Sequence, residues 1–245
     1  MASIIDERGF NQGFVLNQAQ VIRLRRRAGL IAEEVSKSPS DMRTILELGC
    51  GTGELAAELA KLTGSRVTGV DISPGFINRA RQMHQLPQLD FMVADLTREL
   101  PSMPDHRYDY IIGNGILHHL YHNLDDVLPR LALWLNPGGR LIFWEPNYLN
   151  PYIYLIFTCP ALRKWARLEP DEMAFTHHFI KRKLLACGYS KANFLLLDFL
   201  LPNTPNYLIK PVVALGRILE AIPLARALAQ SIFISASISP SPPKA

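Results

Sequence analysis

The stretch Glu47-Leu48-Gly49-Cys50-Gly51-Thr52-Gly53 sets one carboxylate and three glycines between an apolar run from Ile45 and an Ala/Leu/Glu pattern from Glu54. Glycines at 49, 51 and 53 permit positive φ and let the backbone approach a ligand, and the helix that follows offers unpaired N–H groups. This is a nucleotide cradle. The loop lacks the Gly-Lys-Ser/Thr ending of a phosphate loop, and a dinucleotide fingerprint begun at Gly49 would need a small residue where Glu54 stands. Glu47 at the strand end repels a pyrophosphate but suits an ammonium or a sulfonium, so the expected ligand is a cationic nucleoside. Asp71 follows the glycines by roughly twenty positions, the spacing at which a second strand delivers a carboxylate to a ribose diol. Two histidine pairs stand out: His118-His119 could serve as general base or position an acceptor, since imidazole as a group suits proton transfer near neutrality, whereas His177-His178 start a helix, where histidines more often make caps or packing contacts than chemistry. Cys50, Cys159 and Cys187 are an odd, scattered set with no Cys-x-x-Cys pair, so neither a disulfide framework nor a metal set is expected.

These residues need strands to carry them. Arg66 to Ser73, Leu89 to Leu96, Tyr108 to Asn114 and Arg140 to Trp144 read as further strands, Ala192 to Leu201 as a sixth buried on both faces, and Ser231 to Ile238 as a last one. Helices are expected over Val15 to Val35 and Glu54 to Leu62, then after the Ser73-Pro74 cap, from Asn123 to Leu135, from Phe175 to Cys187, and over Pro205 to Ala229 with a break at Pro223. Strand and helix in alternation give a doubly wound α/β fold that binds ligands at the carboxyl ends of its strands. Glu47 and Gly49, Asp71, Asp95, Asn114 and Glu145 all lie at such ends. The Arg23, Arg25, Arg26 and Arg27 cluster is read as a solvated helix face pairing with Glu33 and Glu34, with phosphate or an anionic membrane as the alternative.

The glycine stretch, the strand ending in Asp71 and the Ala94-Asp95-Leu96 ending of the third strand together resemble the class I S-adenosylmethionine-dependent methyltransferases. The resemblance covers roughly residues 40 to 200. It implies a Rossmann-like, mostly parallel seven-stranded sheet with helices on both faces and an antiparallel last strand beside the sixth. It implies S-adenosylmethionine as cofactor, held by Glu47, Gly49, Cys50, Gly51, Gly53, Asp71, Ile72, Asp95, Leu96 and Asn114. Asp71 takes the ribose; Asp95 and Leu96 lie beside the adenine. The loop from Gly115 to Leu120 passes under the transferable methyl, which makes His118 and His119 candidates for general base or acceptor positioning. The alternative for each is a histidine at a helix start bonded to backbone. Insertions after the fifth strand build the acceptor pocket in this family, so Glu145, Tyr148, Tyr152, His177 and His178 are the substrate-binding candidates. The Asn-Pro-Pro-Tyr motif of enzymes that methylate nucleic-acid bases is absent from the fourth strand, which argues against a nucleic-acid partner.

A chain of 245 residues, 48% hydrophobic and 20% charged, builds one large core. One domain is expected over 1–238: an N-terminal helical segment (1–40), a cofactor-binding core (41–145), an acceptor-covering insertion (146–175) and C-terminal helices and strands (176–238), followed by a tail (239–245). A net charge of +4 without a long basic run announces no nucleic acid. Pro146 to Leu162 has no charged residue, but its prolines leave an apolar run shorter than the roughly 20 residues of a membrane span. The N-terminus reaches charged residues before any apolar stretch, which is not the pattern of a secretory signal. A cytoplasmic protein is expected. Pro146 to Arg167 and Tyr207 to Ala229, flanked by Arg163, Lys164, Arg167, Lys210, Arg217 and Arg226, read as an apolar cover over the acceptor, either wholly buried or in peripheral contact with a membrane. The expected reaction moves a methyl group to an O, C or N atom of a small-molecule or lipid-like acceptor. The alternatives are a catalytically silent binding protein and a dinucleotide-dependent oxidoreductase, against which Glu54 argues.

Overall fold

The run Thr44–Leu48 (β1) is buried from its second residue onward, and its side chains alternate between two cores. Leu46 and Leu48 face one layer and Ile45 the other, as a central strand covered on both faces requires. Ile111 and Leu141 repeat the first side, and Ile112 and Ile142 the second. The computed structural model describes residues 16–37, 43–97 and 107–238; the expected tail at 239–245 lies outside them.

Six more strands complete the sheet: β2 (Arg66–Asp71), β3 (Leu89–Val93), β4 (Tyr108–Asn114), β5 (Leu135–Pro146), β6 (Tyr189–Leu197) and β7 (Ser231–Ile238). Their order is β3-β2-β1-β4-β5-β7-β6, with β7 antiparallel to both neighbours and the pairs from β3 through β5 parallel. One layer holds α1 (Gln18–Ser36), α2 (Glu54–Thr63) and α3 (Pro74–Met83), which bury Ile31, Leu59 and Ile77. The other holds α4 (Leu124–Leu133) and, beyond the insertion, α7 (His177–Ala186), which bury Leu128 and Ile180. The insertion is the helix pair α5 (Pro151–Thr158) and α6 (Pro160–Trp165); α8 (Asn206–Ala221) and α9 (Pro223–Arg226) precede β7. The chain order reverses beside β1, whose neighbours are β2 and β4, and such a switch point opens a crevice at the carboxyl ends of the strands.

Two expectations are corrected. The sixth strand begins at Tyr189 and ends at Leu197, and it is not buried on both faces: it forms the sheet edge, with residues in alternation exposed. Asp198 to Leu201 leave the sheet, and Asp198 adopts a positive φ of 73°. Of the arginines of α1, Arg25 is exposed, but Arg23, Arg26 and Arg27 do not pair with Glu33 and Glu34. Arg26 forks onto Glu220 at 2.8 and 2.6 Å, and Arg27 Nη2 donates to Asp198 at 2.9 Å. Arg23 turns inward to the Leu200 carbonyl and to Gln230, while Glu34 pairs with Arg140 at 3.0 Å. The buried Asp198 carboxylate accounts for the difference, because cations close to it gain more than they do in water.

Candidate active site

A cavity of about 660 Å³ opens at the switch point, walled by the glycine loop, the ends of β2 and β4, the segment after β3, and the face of α1 that carries Gln20, Arg23, Leu24 and Arg27. Gly49, Gly51 and Gly53 all have positive φ. A Cβ on Gly53 would lie 2.5 Å from the Phe91 ring, whereas one on Gly51 would meet nothing within 4 Å, since this residue faces open space. The loop is tied to β2: Gly51 N–H donates to Asp71 Oδ2 and Ser73 N–H to Oδ1, both at 2.9 Å. This pins the Asp71 carboxylate at the cavity wall. Asp95 Oδ1 accepts the N–H and hydroxyl of Thr97 at 2.9 and 2.6 Å, and Ile72, Phe76, Ala94 and Leu96 supply apolar walls. Cys50 is a packing residue here. Its N–H donates to the Val70 carbonyl at 3.0 Å, its sulfur fills the space above Gly69, and burial pushes its thiol well above the usual range.

Glu47 lines the same cavity, is buried, and has one oxygen, Oε2, without a partner among the described residues. Burial, with Glu54 and Asp71 nearby, raises its carboxyl well above the ordinary value. An orphaned acid beside a nucleoside-sized cavity fits a cationic ligand, and the open face of Gly51 fits close backbone approach.

A second cavity of about 410 Å³ adjoins the first, and the two share Arg23, Arg27, Gly115 and Pro202. The insertion forms its wall with Tyr152, Ile153, Ile156, Phe157 and Trp165. Arg27 reaches the Asn114 side chain, donates to Ser231 Oγ at 2.9 Å and stacks 5.0 Å over the Trp144 ring, whose indole N–H has no partner among the described residues. Burial and the neighbouring Arg27 bring Arg23 down to about 9, against the pull of Asp198. Burial alone would raise the Asp198 carboxyl, yet Arg27, Arg23 and Arg26 hold it below the usual range. Arg167, another wall residue, takes a positive φ of 57°, so both non-glycine residues with positive φ among the described residues stand at this site or its support.

His118 lies in the second cavity, with its Nδ1 2.9 Å from Glu145 Oε2. Glu145 also accepts the N–H groups of Ile116 and Leu117 on Oε1 and of His118 on Oε2, at 2.8 to 3.2 Å, which fills the four acceptor positions of a carboxylate. Facing an acceptor-only group, Nδ1 carries the proton of the neutral ring, and Nε2 is the basic atom. His119 lines the first cavity, and its Nδ1 is 3.1 Å from Glu172 Oε1. Burial works against its charge, but the Glu172 hydrogen bond and the charges of Glu172, Glu145 and Glu169 hold the imidazole above its ordinary value. His118, His119 and Glu172 each offer one atom within 4.8 Å of the others, the one set among the described residues able to receive a metal ion.

The fold therefore gathers Glu47, Gly49, Cys50, Gly51, Asp71, Ile72, Asp95, Leu96, Asn114 and His119 around the first cavity, and His118, Glu145 and Tyr152 around the second. Gly53 stands behind the loop. Tyr148 lines neither cavity and packs edge-on against Tyr154. His177 and His178 also line neither; their rings lie 4.0 Å apart, tilted by 38°, at the start of α7, with His177 6.3 Å from Phe194. Sequence reading missed Arg23 and Arg27 as cavity residues, and it missed Phe76 and Glu172. For Arg23 and Arg27 the signal was their recurrence on the helix face that also carries Gln20 and Leu24. Glu172 had none.

A family model described as a methyltransferase domain matches residues 45–139. The trans-aconitate 2-methyltransferase of Azoarcus sp. (strain BH72) is 37% identical over 128 residues, 51% of this chain and 47% of that protein. The fatty-acid O-methyltransferase of Mycolicibacterium smegmatis is 34% identical over 112 residues, 44% of this chain and 40% of that protein. The chain thus spans about half the length of the curated relatives it matches. An S-adenosylmethionine-dependent methyltransferase from Mesorhizobium loti superposes with a TM-score of 0.60 at 18% identity, over 90% of this chain and 98% of that one, and shares the fold. The glycine loop, the strand-end acids and these similarities agree: residues 45–139 match a methyltransferase domain, and the chain has the Rossmann-like fold of the S-adenosylmethionine-dependent methyltransferases.

Proposed function

We propose that the protein transfers a methyl group to an oxygen of an acidic small molecule with an apolar, lipid-like body. The observation that carries this reading is the junction of the two cavities at Arg23, Arg27 and Gly115. The cofactor, S-adenosylmethionine, supplies a methyl already activated by positive sulfur; the acceptor oxygen bonds to that carbon as the carbon–sulfur bond breaks and its electron pair returns to sulfur. The chain's own task is alignment and the exclusion of water, effects that reach about 7–11 kcal/mol for well-oriented reactants.

Asp71 takes the ribose hydroxyls and Asp95 the adenine edge. Glu47 balances the cationic end of the ligand, and the backbone of Gly49 to Gly53 lets it approach. The Gly115 loop lies where donor and acceptor meet. On the acceptor side, Ile153, Ile156 and Phe157 receive the apolar body. The charged residues of that wall are Arg23, Arg27, Arg167 and Glu145; Glu145 is spent on His118 and backbone N–H groups, and although Arg23 and Arg27 pair with Asp198, Arg23, Arg26 and Arg27 outnumber Asp198 and Glu220 around them, so the wall is positive on balance and an anionic acceptor is favoured. The unpartnered Trp144 N–H adds a donor for its oxygen. A carboxylate attacks as it stands; a hydroxyl loses its proton to His118 Nε2, with Glu145 holding the ring. The relatives named for trans-aconitate and for fatty acids support an acid as acceptor.

The test is transfer of labelled methyl from S-adenosylmethionine to a series of fatty acids and to quinols. Label in the methyl ester, with transfer to hydroxyl acceptors lost in His118→Ala, is expected. Cofactor binding without transfer to any acid or quinol would reject the reading and leave a silent binding protein.

A further inference from the structure

α8 has two apolar faces and only one of them is packed. Its inner side buries Ile209 and Gly216, the latter against Phe199, and joins Ala19 and Leu200 in a small core under α1. Its outer side carries Leu208, Leu215, Ile218 and Ile222 at spacings of three to seven residues, which is one helical stripe. Leu215 is 54% and Ile218 61% exposed, and the stripe continues into Leu224 at 87%. Soluble chains rarely leave such a row uncovered without a partner.

Charge identifies the partner. Between Asn206 and Ala229 the charged residues are Lys210, Arg217, Glu220 and Arg226. Glu220 is turned inward onto Arg26, so every solvent-facing charge of this surface is positive. A row of exposed leucine and isoleucine beside cations alone complements an anionic lipid surface. No described helix is long and apolar enough to cross a membrane, so the contact is one of lying on the surface. The position of the surface is also suited to lipid. Pro202 and Asn203, just before α8, and Gln230 and Ser231, just after α9, line the second cavity, as does Trp165, which is 65% exposed. Both ends of the α8–α9 segment therefore stand on the rim of that cavity.

We propose that the outer face of α8 and α9 docks on an anionic bilayer, with the rim of the second cavity turned toward the lipid. The inference goes beyond methyl transfer and does not require it. The test is flotation of the full chain with phosphatidylcholine vesicles, with and without phosphatidylglycerol. Binding about tenfold or more stronger to the anionic vesicles, and released by high salt, is expected. The double variant Ile218→Glu, Leu224→Glu changes only exposed side chains; it should keep its thermal stabilisation by S-adenosylhomocysteine and lose flotation. Wild-type protein that remains at the bottom with anionic vesicles would overturn the proposal, and so would a variant that floats normally. A dimer in sedimentation that the same substitutions break, without flotation, would assign the face to a second copy instead. Because flotation is read without acceptor or turnover, its failure is separate from any failure of the methyl-transfer assay.

Discussion

Glu47 holds a carboxylate in a buried position where Glu54 and Asp71 are also acidic, and one of its oxygens meets no partner among the described residues. Its folded pKa is raised, so its contribution to stability is fully present below the unfolded value of about 4.3 and is lost as pH rises through the folded value. Above that range the charged acid costs stability until a cation arrives. Glu47→Gln should therefore raise the melting temperature of the unliganded protein at pH 8. It should also reduce the preference for S-adenosylmethionine over S-adenosylhomocysteine by about tenfold, because only the former carries a sulfonium. Calorimetric titration of both ligands checks this; an unchanged ratio would mean that the carboxylate does not sense the sulfur charge.

At the scale of elements, the decisive joint is between α1 and the turn after β6. Asp198 gathers Arg26 and Arg27 within 3.2 Å and has Arg23 at 3.9 Å. These contacts press the face of α1 bearing Gln20, Arg23, Leu24 and Arg27 onto the first cavity. Removing one partner of a buried ionic cluster costs about 3–5 kcal/mol, so Asp198→Asn should lower unfolding free energy by that order and weaken cofactor binding through the loosened wall. The Asp198 carboxyl is held low, so its stabilisation is present above the unfolded value of about 3.9 and is lost as pH falls through the folded value. Urea titrations at pH 7 and in acid should show the variant far below wild type at neutrality and the two converging in acid. A pH-independent gap would place the loss in packing and not in charge.

At the scale of the molecule, the first cavity draws its walls from α1, the loops after β1 to β4 and the turn from Glu169 to Glu172. A ligand there ties the parts together and binds only the folded chain. At a hundredfold excess over Kd this adds about 2.7 kcal/mol, which for a domain of this size is a rise of about 5–10 °C in melting temperature. S-adenosylhomocysteine should produce that rise in a thermal scan and NAD should not. A larger rise with NAD would return the oxidoreductase reading.

The glycine-loop side of the first cavity was legible in the sequence because its determinants are local. Gly49 to Gly53 must follow one strand and begin one helix, and the carboxylates of Asp71 and Asp95 lie at the ends of the next two strands, so spacing alone brings them to one rim. The second cavity depends on contacts between residues distant in the chain. Asp198 lies 171 positions from Arg27, so no periodicity in α1 told that its arginines turn inward. The distance of 27 positions from His118 to Glu145 decided which imidazole nitrogen is basic. Burial of Glu172 from the insertion, and the uncovered outer stripe of α8, were likewise decided by tertiary packing, since a helix with two apolar faces reads the same whether one face or both are covered.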